Sequence, residues 1–306
     1  MAVIKHIASG KLYYLPSPAI VGRGPGLSIQ TTNRMASNAH AEFRWTGTAW
    51  VLRDLGSKNG TFVGSQRLDA GETVPIMVGS HLAFGDTEDR YEVTDLEPPA
   101  ASAQADDGTV RHAEGGILVL PDDDNPEFTV SEEGPGGWFM EDASGARQRI
   151  ADQARLHSGG RSWRLDLPVV PEPTLGQGDH VLYLGSLGLR FQVNRSEEHI
   201  EITILHRTRA IPLPTRAHCE LLLCLGQARR DDNQNPSLSD SERGWVYVED
   251  LLERLGCNEG QLNVSIFRAR QQFALAGVKG ATALIERRST ARQIRLGVSR
   301  VEILSL

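Results

Sequence analysis

The sequence predicts a multidomain chain that is mainly β and closes with an α+β domain. Two observations lead there. Residues 3–95 alternate short apolar runs (LYYL, AIVGR, AEFRW, AWVLRDL, HLAFG) with Gly, Asn, Asp and Ser turns, and show no sustained 3.6-residue period. That is the pattern of an all-β sandwich or barrel. Beyond residue 215 the pattern changes to helical stripes, ending in two short strands around Ser289–Arg292.

Each block follows in order. Residues 1–97 form the first β-sandwich. Residues 98–116, EPPAASAQADDGTVRHAEGG with its preceding Glu97, are poor in apolar side chains and rich in Pro, Ala, Asp and Gly, and read as a linker. Residues 117–170 resume the β pattern (GILVL, EFTV, GWFMED, RSWRLDL) as a small β module. Residues 42–54, EFRWTGTAWVLRD, are echoed at 127–142 by EFTVSEEGPGGWFMED. The module therefore reads as a degenerate partial copy of the first block or as an unrelated fold. Residues 171–178 read as a second linker. Within 179–306, residues 189–193 and 199–205 read as a strand pair and 209–214 as a further strand. A helix follows over 215–228, with Thr215 as the expected N-cap. Residues 229–244 read as a polar loop. Helices over 248–255 and 259–276, and a hairpin of 283–288 with 293–298, complete the domain.

The net charge is −7, unevenly distributed: residues 1–175 carry 15 Lys and Arg against 24 Asp and Glu, whereas residues 257–300 carry eight basic side chains and two acidic ones. A local basic patch, rather than the average, sets the choice of partner. No apolar run approaches the roughly 20 residues that span a bilayer, and the start MAVIKHIASG lacks the apolar stretch of a secretory signal. Cys219, Cys224 and Cys257 show no C-x-x-C spacing, which suggests reduced thiols and a cytoplasmic location. Cys219 and Cys224 are expected to pack in a helix.

Three signatures in the first block suit a phosphate ligand. Arg23 offers a planar fork of donors, the Ser37 hydroxyl can donate to a phosphate oxygen, and Asn59 can both donate to and accept from an extended peptide. All three fall in or beside loops. A nucleotide phosphate loop at 22–26, GRGPG, is excluded because no Gly-Lys-Ser/Thr and no helix follow. The order Gly22–Arg23, SNAH at 37–40, DLGS at 54–57, NGT at 59–61 and VGSHLAFG at 78–85 resembles the forkhead-associated (FHA) domain, over roughly residues 3–95. The resemblance implies phosphothreonine-peptide binding. By it Arg23 and Ser37 hold the phosphate, Asn38 assists, Lys58 influences peptide choice and Asn59 holds the peptide main chain. Gly22, His40, Gly60 and Thr61 are structural. The commonest family form has Arg where Asn38 stands. A copy that kept the fold and lost binding is the alternative; Arg23, Ser37 and Asn59 together argue against it.

On the helix over 259–276, Leu262, Ile266, Ala269 and Phe273 fall in one narrow sector and form the core stripe. Val264, Phe267, Arg268 and Gln271 point the other way, with Arg270 on a flank. Such a face can enter a major groove, and Arg287, Arg288, Arg292 and Arg295 on the hairpin can track phosphates. The order of elements over 180–300 resembles the winged helix of OmpR/PhoB-type regulators. LNVSIFRARQQF at 262–273 is similar to that family's recognition helix, and the resemblance implies DNA contacts at Arg268 and Arg270. Phe267 and Gln271–Gln272 depart from it by replacing common basic residues.

No nucleophile motif or metal-ligand spacing emerges, so the chain is expected to be neither an enzyme nor a metal or cofactor carrier. Asp122–Asp124 reads as a charged turn. The whole reads as a bacterial-style regulator that docks on a phosphothreonine protein made by a Ser/Thr kinase and binds double-stranded DNA, through a changed dimer arrangement or helix availability, away from membranes. Thr109, placed in the first linker, is a candidate internal phosphorylation mark. The competing reading is a phospho-dependent scaffold whose winged helix contacts protein.

Overall fold

In the computed structural model, which describes residues 1–133, 137–168, 182–194 and 199–305, the chain separates into two units. One is built on Met1–Ala100, the other on Ala101–Leu165 and Gln177–Leu306. The expected linker at 171–178 lies outside the described residues.

Alternation in the first unit becomes eleven strands: β1 (Val3–His6), β2 (Leu12–Tyr14), β3 (Ala19–Gly22), β4 (Ile29–Gln30), β5 (Ala41–Trp45), β6 (Trp50–Asp54), β7 (Thr61–Val63), β8 (Gln66–Arg67), β9 (Thr73–Pro75), β10 (His81–Phe84) and β11 (Arg90–Asp95). They form a six-stranded sheet ordered β2-β1-β11-β10-β7-β8 and a five-stranded sheet ordered β4-β3-β5-β6-β9. Because side chains alternate across a strand, Phe43 on β5 and Trp50 and Leu52 on β6 face inward, meeting Ile4, Leu82, Phe84 and Val93 of the other sheet in one core. Each such side chain contributes about 1.5–3 kcal/mol by leaving water.

The second unit opens with a region read above as linker. Residues 98–116 in fact carry β12 (Ser102–Ala105) and β13 (Val110–His112). Ala101, Ala103 and Ala105 are buried in strict alternation; small side chains disguise a strand as a linker. Thr109, expected in that linker, sits in the turn between these strands, its amide bonded to Asp107 Oδ1 and its carbonyl to the Ala105 amide. There follow β14 (Ile117–Pro121), β15 (Pro126–Glu132), β16 (Trp138–Asp142), β17 (Arg147–Arg149), β18 (Arg155–Ser158) and β19 (Arg161–Asp166).

The two sheets of this module are ordered β13-β12-β19-β18 and β14-β15-β16-β17. They match, strand for strand, the β2-β1-β11-β10 and β3-β5-β6-β9 portions of the first unit. The sequence echo lies in register with this match. Trp138, Met140 and Asp142 end β16 as Trp50, Leu52 and Asp54 end β6, and both aspartates close a turn by accepting amide protons two and more residues on. Among the described residues, the second module has no counterpart of β4, β7 and β8. The long connections of the first unit shrink to 122–125 and 143–146.

The rest of the unit begins with β20 (Leu182–Tyr183), β21 (Gly188–Val193), β22 (Ile200–His206) and β23 (Arg209–Leu213). Helix α1 (Cys219–Asn233), β24 (Val246–Tyr247), α2 (Val248–Leu255) and α3 (Glu259–Leu275) follow. The chain then runs through β25 (Val278–Lys279), β26 (Ile285–Arg288), β27 (Gln293–Leu296) and β28 (Arg300–Ser305). Strands order as β23-β22-β21-β28 and β24-β27-β26, with β20 beside β25. Helix α1 starts later than Thr215 and runs past residue 228. Thr215 bonds the Ile200 carbonyl instead of capping. Arg229 is buried and ties the following segment down through Asp240 and the Arg243 carbonyl. At α3, Asn258 and Gln261 form a reciprocal cap. Leu262, Ile266, Ala269 and Phe273 lie in the core with Leu221, Leu222, Leu225 and Phe191, as their periodicity requires. Cys219 and Cys224 are buried on α1. No helix among the described residues is long and apolar enough to cross a membrane.

Candidate functional site

Three loops of the first unit converge at one end. The chain leaving β3 lies against the segment before β5: the Arg23 amide donates to the Ser37 carbonyl at 2.9 Å, and the Gly24 amide to the Asn38 carbonyl at 2.9 Å. Gly22 is required by this approach, since a Cβ there would lie 2.2 Å from the Asn38 oxygen. The third loop, between β6 and β7, joins through Lys58, whose amide donates to Ser37 Oγ at 3.1 Å, and Asn59, whose Nδ2 donates to the Met35 carbonyl at 2.7 Å. The structure thus brings Arg23, Ser37, Asn38, Lys58 and Asn59 together.

Their free valences suit an anion on a peptide. Arg23 is exposed and spends only Nε, on the Ala36 carbonyl at 2.6 Å. Its two terminal nitrogens make no further bond among the described residues. Ser37 Oγ accepts from Lys58 and so keeps its own proton to donate. Asn38 and Lys58 are exposed beside it.

Two buried side chains hold the loops. His40 Nδ1 accepts from the Ser37 amide at 3.0 Å, which leaves Nε2 to donate to the Gly60 carbonyl at 3.1 Å. The tautomer follows from the amide, which can only donate. Asp54, 2% exposed, accepts from the Gly56 and Ser57 amides and from the Ser57 and Thr61 hydroxyls. Burial alone would raise the Asp54 carboxyl, but these bonds together hold it below the usual range. The structural roles expected of Gly22, His40, Gly60 and Thr61 are therefore concrete bonds and approaches. Sequence reasoning missed the roles of Asp54 and of Asn33. The Asn33 side chain accepts from the Met35 amide and donates to Asp89, fixing the loop before Ser37; nothing local signals that distant partner.

Burial pushes the His40 imidazole down, outweighing the upward pull of the Gly60 carbonyl and the Asp54 carboxylate. The folded state therefore favours neutral His40. Its contribution to stability is fully present above about pH 6.5, the ordinary histidine value. It is lost as pH falls from there through the lower folded value. We expect wild type to lose more stability than His40→Gln between pH 7.5 and pH 5.5 in guanidinium unfolding; equal losses would contradict this.

A family model of the FHA domain matches residues 19–85. The N-terminal domain is an FHA domain. Over 70 residues the chain is 33% identical to the FHA domain-containing protein FhaB of Mycobacterium tuberculosis, and equally to that of Mycolicibacterium smegmatis. The aligned stretch is 23% of this chain, and the chain spans 44% of the length of these curated relatives. Among solved structures, Mycobacterium tuberculosis EmbR in complex with a low-affinity phosphopeptide is 28% identical, with 30% of this chain and 24% of that chain covered and a TM-score of 0.28. The FHA domain of an Arabidopsis thaliana hypothetical protein is 26% identical, with 32% and 88% covered and a TM-score of 0.29. FHA domains bind phosphothreonine peptides of partner proteins, and in this one Arg23, Ser37 and Asn59 are brought together at one end.

The candidate DNA-binding residues of the second unit are placed differently from expectation. Val264 is half-buried and Arg268 exposed. Phe267, expected to point outward, is 2% exposed and packs on Ile117 and Val119 of β14. Arg270 is 4% exposed; it donates to Glu141 at 2.9 Å and to the Ile285 carbonyl at 2.5 Å. Arg268 reaches Asp124 at 2.8 Å, and Gln271 reaches Glu114 at 3.0 Å. Arg287 donates to the Ala143 carbonyl and Asn263. On the hairpin, Arg288 pairs with Glu242 and stacks on Trp245, and Arg292 pairs with Glu249 and Glu259. The periodicity of α3 located its core stripe correctly; its other face is covered by the β module.

Proposed function

We propose that this protein is a phosphothreonine reader whose output is DNA binding. It is a binding protein rather than an enzyme. The FHA domain docks on a partner marked by a Ser/Thr kinase, and the C-terminal block, read as a winged helix, contacts double-stranded DNA through α3 and the β26–β27 hairpin. One observation carries the reading: three loops gather the Arg23 fork, the Ser37 hydroxyl and the Asn59 amide, with the terminal nitrogens of Arg23 and the Ser37 proton unspent among the described residues. The order α1, β24, α2, α3 and a hairpin, with eight basic side chains in 257–300, supports the DNA half.

A phospho-dependent scaffold is the second reading, favoured by the burial of Phe267 and Arg270 against protein. A randomised duplex library titrated with salt separates the two. The regulator selects sequences, with log K falling linearly against log salt by about 0.9 per phosphate contact. No selective binding, by the wild type or by the variants described next, would leave the scaffold.

A further inference from the structure

The part of the β module that meets α3 is not arbitrary. The connections 122–125 and 143–146 occupy the places in the strand order that carry the phosphopeptide loops of the FHA domain, between β3 and β5 and between β6 and β9. In the FHA domain those loops present Arg23 and Lys58. In the second module they present Asp124 and the Ala143 carbonyl, with Glu141 on the adjoining strand. The module over Ala101–Leu165 carries 12 acidic and six basic side chains, the inverse of the basic bias at 257–300.

We propose that this apex is an acidic counterpart of the FHA phosphate site, and that its ligand is this chain's own helix α3, held so that α3 cannot enter a DNA groove until it is released. The exclusion of DNA rests on the winged-helix reading above; the docking of α3 does not.

The contact is close and specific. Asp124 holds Arg268, Glu114 holds Gln271, Glu141 faces both Arg270 and Arg287, and Phe267 inserts against Ile117 and Val119. Gly145, at φ +84°, admits Arg287 where a Cβ would meet its Cδ at 2.2 Å. Of the residues that a groove would need, Phe267, Arg268, Arg270, Gln271 and Arg287 are engaged by the module, while Arg288 and Arg292 pair within the C-terminal block.

The docking is also built to open. One carboxylate serves two guanidiniums: Nε of Arg270 is buried without a hydrogen bond, and Nε of Arg287 meets Glu141 only as an ion pair at 3.4 Å. A buried donor left without a bond carries a desolvation cost, and the desolvation of a buried ion pair offsets much of its attraction. The arrangement is thus a displaceable plug.

The test uses the full chain and two variants. Glu141→Gln removes the central charge. Asp124→Ala with Glu114→Ala removes only exposed partners, and so remains informative if the first variant folds poorly. Hydroxyl-radical labelling of Phe267 reports docking in the absence of DNA, and fluorescence anisotropy with a randomised duplex reports affinity at fixed salt. Both variants are expected to raise Phe267 labelling several-fold over wild type and to tighten duplex binding by about tenfold or more. Labelling unchanged in both variants, or wild type binding duplex as tightly as they do, overturns the proposal. Raised labelling with no duplex binding by any form upholds the docking of α3 and removes the DNA reading instead.

Discussion

Arg23→Ala is expected to weaken phosphothreonine-peptide binding by roughly 100-fold or more, with little change in stability. Each charge-assisted bond that the two terminal nitrogens offer a phosphate is worth about 1.5–3 kcal/mol, and about 1.4 kcal/mol corresponds to tenfold in affinity. Among the described residues the guanidinium makes one bond, from Nε to the Ala36 carbonyl, and it is exposed. Arg23→Lys should recover only part of the loss, because an ammonium is a point charge and cannot fork. Calorimetric titration of phosphothreonine and unphosphorylated peptide pools checks this, with thermal unfolding as the control. Micromolar-class binding to the phosphorylated pool alone is the expected wild-type behaviour. Equal binding to both pools, or an unimpaired Arg23→Ala, would refute phosphothreonine reading at this site.

Asp54→Ala should be among the most damaging single changes in the FHA domain, costing on the order of 3–5 kcal/mol of stability. The substitution strands two backbone amides and two hydroxyls that now share one buried carboxylate, and each unmet buried donor costs about 1–3 kcal/mol. The loop they define carries Lys58 and Asn59, so peptide affinity falls as well. Asp54→Asn keeps one oxygen and lets both hydroxyls turn to accept, and should cost about half as much. Because the folded carboxyl lies below its ordinary value, its contribution is present above about pH 4. It is lost as acidification passes through the folded value. Guanidinium unfolding of the wild type and both variants at pH 7 measures the difference. An Asp54→Ala midpoint within error of wild type would show that this turn holds itself without the carboxylate.

Different parts of the molecule were legible to different degrees, for reasons that can be named. Arg23, Ser37 and Asn59 were readable because each sits in a short motif whose local backbone fixes its place. Asp54 stood inside a recognised motif, yet its role depended on four donors that only the closed turn brings to it. Asn33 gave no signal because its partner, Asp89, is 56 residues away. In the stretch 98–116 the hydrophobic pattern failed because alanine carries too little apolar surface to mark a strand, although Ala101, Ala103 and Ala105 are all buried. The extension of α1 beyond residue 228 was hidden by polar residues that Arg229, turned inward, makes part of the fold.

By itself the sequence determined which side chains gather at the FHA loops, the three helices and the core stripe of α3, since all of these rest on side-chain type and spacing along a few turns or one strand. It could not determine what covers the other face of α3. A period of 3.6 residues says which side of a helix is apolar. It is silent on a partner such as Glu141, 129 residues from Arg270, or Asp124, 144 residues from Arg268. Only the tertiary fold places a pared-down second sandwich there, and only its charge, opposite to that of the FHA loops it parallels, turns an exposed basic face into an occupied one.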